Sequence, residues 1–116
     1  MPIEIIRKKV SLAKVGELAK SSYGDMVKGV VDLRRKVIAL GGELHADAEA
    51  LLLQDGARQD DLWGFNLFPD RPKEEWIQYT SFINIRPAHG NRSQEIQDEK
   101  LKKAIREIIE ALIDAK

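Results

Sequence analysis

The chain of 116 residues contains no cysteine, four prolines and few aromatic side chains, and its 19 basic residues are matched by 19 acidic ones. Each shortage excludes something. Without cysteine there is no disulfide framework, no thiolate zinc or iron–sulfur site and no thiol nucleophile. A formal net charge of zero argues against a globally basic nucleic-acid binder but leaves local patches open. The longest purely apolar runs, such as Ala50 to Leu53, fall far short of the roughly 20 residues a membrane span needs. The segment from Met1 to Lys9 meets charge too early for a secretory leader, so the expectation is a cytoplasmic protein with no membrane partner.

What is present suits a single folded domain over residues 1–116. Hydrophobic residues make up 43% and charged ones 33%, a globular rather than disordered balance. Ile3, Ile5 and Ile6 read as a short first strand. Ser11 is placed to cap a helix carrying Leu12, Val15, Leu18 and Ala19, which Tyr23-Gly24-Asp25 stops. Two β-branched runs, Met26 to Leu33 and Val37 to Leu40, flank the charged turn Arg34-Arg35-Lys36 and predict a hairpin.

After Gly41-Gly42 the period is ambiguous. Residues 43–50 alternate polar and apolar, as a strand would, yet their alanines, leucines and glutamates favour a helix from about His45 to Gln54, closed by Asp55-Gly56. Leu62 to Phe68 predicts a strand with Trp63, Phe65 and Leu67 on one side. Two prolines keep 69–75 out of any ladder. Trp76 to Arg86 predicts the longest strand, with Ile77, Tyr79, Ile83 and Ile85 on one face. Residues 87–93 form an irregular polar loop. Asp98 then caps a last helix with a stripe of Leu101, Ala104, Ile105, Ile108, Ile109, Leu112 and Ile113. The order β-α-β-β-α-β-β-α implies an α+β fold, a mainly antiparallel sheet of two hairpins plus an N-terminal strand, covered by three helices.

Three blocks carry a resemblance: Gly-Gly-Glu-Leu-His-Ala-Asp-Ala-Glu (41–49), Asp-Leu-Trp-Gly-Phe-Asn-Leu-Phe-Pro (61–69) and Ile-Asn-Ile-Arg-Pro-Ala-His-Gly-Asn-Arg-Ser (83–93). The chain resembles a small family of uncharacterised bacterial proteins, catalogued as a domain of unknown function. The resemblance spans nearly the whole chain. It implies a bacterial cytosolic single-domain protein and supplies no activity, cofactor or catalytic residue.

Two constellations could carry chemistry. The first is Glu43, His45, Asp47 and Glu49, since carboxylates flanking an imidazole suit acid–base work or a divalent metal. On a helix His45 and Glu49 are neighbours one turn apart, while Asp47 points about 200° away from His45. The competing explanation is that acids gather at a helix N-terminus because its dipole favours them. The second is the loop of Arg86, His89, Asn91, Arg92 and Ser93, where two arginines could clamp a phosphate or carboxylate. Its competing explanation is internal pairing of those arginines with Glu43, Asp47 or Glu95.

No Ser-His-Asp triad is readable, and Trp63, Phe65, Trp76 and Tyr79 read as core rather than base-stacking groups, against a nucleic-acid role. Charge is uneven along the chain: residues 43–75 hold nine acidic and three basic side chains, whereas residues 1–42 hold four and nine. Three readings follow. The chain binds a small anionic ligand through Arg86, His89, Asn91, Arg92 and Ser93. Alternatively it is a metal- or His-assisted phosphoesterase using His45, Asp47 and Glu49. Or it is a structural or interaction module whose polar loci are internal salt bridges. The apolar stripe of the last helix leaves a homodimer open.

Overall fold

In a computed structural model, which describes residues 2–114, the described residues form seven strands and three α-helices. The strands are β1 (Ile3–Ile6), β2 (Val10–Ser11), β3 (Val27–Asp32), β4 (Val37–Gly41), β5 (Leu62–Leu67), β6 (Ile77–Gln78) and β7 (Ile113–Asp114). The helices are α1 (Leu12–Lys20), α2 (His45–Gln54) and α3 (Glu99–Leu112). Five strands make one antiparallel sheet in the order β1-β4-β3-β5-β6, and β2 pairs with β7 in a short parallel ladder. The α+β class and the antiparallel sheet follow the sequence expectation.

Local chemistry explains the helix ends. Ser11 accepts the Lys14 N–H at 3.1 Å and so begins α1. Asp98 does the same for Lys100 and Leu101 at the start of α3. The β3–β4 turn is drawn tight by Asp32, fully buried, whose carboxylate accepts the Arg34 and Arg35 N–H groups and the Arg35 side chain at 2.7 Å.

The sheet is covered on both faces. Trp63, Phe65 and Leu67 of β5 alternate toward α1 and α3, where Val15, Leu18, Ile105 and Ile109 close the larger core. The α3 stripe is therefore used on its own sheet, with Ile105, Ile108, Ile109 and Leu112 buried. On the opposite face Val30, Ala39 and Leu62 meet Ala48 and Leu52 of α2.

One expected element is corrected. The strand predicted from Trp76 to Arg86 pairs with β5 only at Ile77 and Gln78. At Thr80 the chain leaves β5 and bridges to Glu95 instead. Ser81 then accepts the Ile83 N–H with its own hydroxyl, starting a 3-10 turn over Phe82–Asn84, and a second turn follows over Pro87–His89. The apolar alternation survives only in part: Ile83 packs on the α2 side of the core, whereas Phe82 is 76% exposed.

Gly29 in β3 lies beneath Phe65, and a Cβ there would stand 2.6 Å from Phe65 Cε2 and 2.9 Å from Leu40 Cδ2. Gly29→Ala should therefore cost about 2 kcal/mol of stability by overpacking. Adding Phe65→Leu should make the Gly29→Ala step cheaper, because the two substitutions share one space. Urea unfolding of the two single variants and the double variant measures that coupling; strict additivity would contradict the packing described.

Candidate functional site

The 41–49 block turns the chain from β4 into α2. Gly41 and Gly42 hold φ of +117° and +86°, and Leu44 sits as the N-cap with its N–H donated to Asp47 at 3.1 Å. Asp47 is thereby committed to the helix start and faces solvent. The Glu43 carbonyl accepts the Tyr23 hydroxyl. His45, the first residue of α2, is buried, and its Nε2 lies 2.8 Å from the Phe65 carbonyl oxygen, so that nitrogen carries the proton and donates. Burial pushes the imidazole below its ordinary affinity for a second proton; the Phe65 carbonyl opposes this and the nearby Lys28 adds to it. Glu49, one turn on, reaches Arg86 at 3.4 Å. His45, Asp47 and Glu49 thus serve three separate partners.

The 83–93 block is organised by two buried asparagines. With β6 only two residues long, the outer edge of β5 needs partners elsewhere. Leu62 donates its N–H to the Gln59 carbonyl. Gly64 is met by the Asn84 side chain, whose Oδ1 accepts the Gly64 N–H at 2.8 Å while its Nδ2 donates to the Gly64 carbonyl at 3.0 Å. The amide of Asn84 stands in for a strand. The approach is close: a Cβ at position 64 would lie 2.6 Å from Ser81 Cβ. Asn91 then fastens the loop to itself, donating to the carbonyls of Asn84 and Ser93 at 2.8 Å each and accepting the Gln97 N–H at 3.1 Å.

The charged residues sit on this frame. Arg86 pairs with Asn91 across a two-way backbone bridge, which puts those side chains on one side and Arg92 on the other. The Arg86 guanidinium lies 4.9 Å from the centre of the Trp63 ring and pairs with Glu49, both side chains being largely buried. Its Nη1 is buried without a hydrogen-bond partner. Burial lowers the Arg86 pKa, against the attraction of Glu49 and then of Asp60. His89 reaches Asp60 at 3.2 Å on the surface, Ser93 accepts the Glu95 N–H, and Arg92 is exposed. The two blocks do meet, but through Glu49 and Arg86 rather than through His45 or Asp47.

Among the described residues no group of three or more His, Asp or Glu side chains is arranged to hold a metal ion. No helix among them is long and apolar enough to cross a membrane. Two features escaped the sequence reading. Asn84 stood unmarked inside a β-branched run, where its polar side chain was the sign of an edge contact. A cleft of about 300 Å³ between Tyr79 and α3, lined also by Glu99, Lys102, Lys103 and Arg106, was signalled only by the run of cations early in the last helix.

Fold and geometry together define a small α+β protein whose sheet edge is closed by an asparagine side chain. The chain belongs to the family described as Protein of unknown function (DUF5674), which matches residues 4–112. No curated protein and no solved structure matches it.

Because folding lowers the His45 pKa, the unfolded chain binds the extra proton first. Stability is then full above an unfolded value of about 6.5 and falls as the pH drops below it. Asp55, held down chiefly by Arg7, adds its own loss only in the carboxylate range. Unfolding midpoints at about pH 7.5 and pH 5 should fall in the native chain and stay closer together in His45→Gln. An equal fall in both would contradict the buried neutral imidazole.

Proposed function

We propose that the chain is a small structural or interaction module whose two polar blocks, 41–49 and 83–93, brace the open edge of the sheet and position the loop. The observation that carries this is the double hydrogen bond between Asn84 and Gly64, continued by Asn91 within the loop and by the Arg86–Glu49 pair to α2. Each bond satisfies a group that would otherwise be buried without a partner or face its counterpart across an open edge. A phosphoesterase built on His45, Asp47 and Glu49 draws no comparable support, since those three side chains are turned to different partners.

The brace has a direct test. Asn84→Ala strips two bonds from Gly64 and leaves its buried N–H unsatisfied, for an expected loss of about 3 kcal/mol in urea unfolding. A change within experimental error would remove the brace from the account.

A second reading keeps a small anionic ligand at the loop. It is favoured by the exposure of His89 and Arg92, with Asn91 and Ser93 holding the loop in shape, while Arg86 on the other side is engaged by Glu49. Under that reading inorganic phosphate raises the unfolding midpoint of the native chain and not of Arg92→Ala. No shift, or an equal shift in both, would retire it.

A further inference from the structure

We infer that the cleft between Tyr79 and the first half of α3 is a binding site for a small phosphate-bearing molecule, held by Lys102, Lys103 and Arg106. The inference goes beyond the structural reading of the chain and draws on a different part of the molecule from the braced loop.

The arrangement of charge on α3 is the first support. A helix favours acids at its N-terminus and bases at its C-terminus. In α3 Asp98 and Glu99 stand at the N-terminus as the dipole favours, but Lys100, Lys102, Lys103 and Arg106 come next, Glu107 and Glu110 follow them, and no base stands in the last turn. Lys102 and Arg106 are also four residues apart, where like charges repel. Helix stability alone would set these residues the other way round. A bound anion beside these residues gains from the cations, while the N–H groups of Lys100 and Leu101 are already taken by Asp98.

The cleft is the second support. Its volume of about 300 Å³ is at the low end for small-molecule sites, the scale of pyrophosphate or a sugar phosphate rather than a larger cofactor. Three cations line it against one acid, Glu99, which is itself paired with Lys102 at 3.0 Å. Among the described residues neither Lys103 nor Arg106 has a carboxylate within ion-pair distance. Glu110, the other acid felt by Arg106, is engaged by Lys73 at 3.9 Å.

The wall opposite α3 is Tyr79. Its hydroxyl is buried with no hydrogen-bond partner of good geometry, and Arg106 lies close enough for the phenol oxygen to strengthen its hold on its proton. The Lys102 ammonium stands 5.8 Å from the centre of the same ring. An aromatic wall, a planar guanidinium fork and two ammonium groups are the parts by which proteins hold phosphate. The surplus of two positive charges matches a phosphate dianion.

The test is a calorimetric titration of the full chain with inorganic pyrophosphate. Saturable one-site binding is expected, weakened roughly tenfold or more in the Lys103→Ala/Arg106→Ala double variant. Both substituted side chains are exposed and relieve like-charge repulsion when removed, so the double variant should unfold at or above the native midpoint. Binding should be unchanged in Arg92→Ala, which separates this site from the 86–93 loop, and in Lys8→Ala, a control for diffuse attraction. No saturable binding, full binding by the double variant, or an equal loss in Lys8→Ala would each overturn the proposal. Destabilisation by Asn84→Ala without any pyrophosphate binding would leave the brace standing and remove this site alone.

Discussion

The structure depends on how one strand edge is finished. β5 packs against the central strand β3 along its full length, but β6 covers only its last two residues. An exposed run of backbone donors and acceptors at that edge would cost stability and invite pairing with another chain. Asn84 answers this by presenting a side-chain amide, which carries a carbonyl and an N–H as a peptide does. For the amide to reach, the chain must leave the sheet after Gln78 and return in tight turns. Position 64 must also carry no side chain, because Ser81 presses against it.

Other features of the loop follow from that constraint. Turns without a ladder leave their carbonyls open, and Asn91 collects those of Asn84 and Ser93. The return to α3 needs an anchor, which Asn91 supplies through the Gln97 N–H. Arg86 then covers the Trp63 ring and ties the loop to α2 through Glu49. Residues that look like a catalytic set in one dimension, His45 with its flanking acids and Arg86 with its polar followers, are in three dimensions mostly committed to keeping one loop against one strand. A buried ion pair and a buried amide network are weak sources of net stability but strong sources of a unique geometry, because the alternatives leave groups unsatisfied.

Much of this was legible in sequence, and the limits are physical. Ser11 and Asp98 announced their helices because a cap is a local interaction, settled within four residues. The β3–β4 hairpin was legible because β-branched runs flank a short charged turn. His45 to Gln54 required composition to outweigh a false strand period, and it did. The segment from Trp76 to Arg86 failed for the opposite reason. Its alternation of Ile, Tyr and Ile fits a strand, but whether a strand forms depends on a partner edge far away in sequence, and Gly64 with Asn84 gave that edge a different partner. The link between Glu49 and Arg86 was anticipated in kind, as an internal pairing of acid and arginine, although the acid named was not the one used. The cleft beside Tyr79 was missed because only the apolar stripe of the last helix was read and its cations were left unweighed.

The central claim is that an asparagine side chain closes the β5 edge, and amide hydrogen exchange at Gly64 tests it most directly. That N–H points away from β3, so its hydrogen bond comes from Asn84 and not from the central strand. The account predicts that it exchanges as slowly as the amides of the central strand β3, opening only with global unfolding. Exchange at the rate of an exposed edge amide would contradict it.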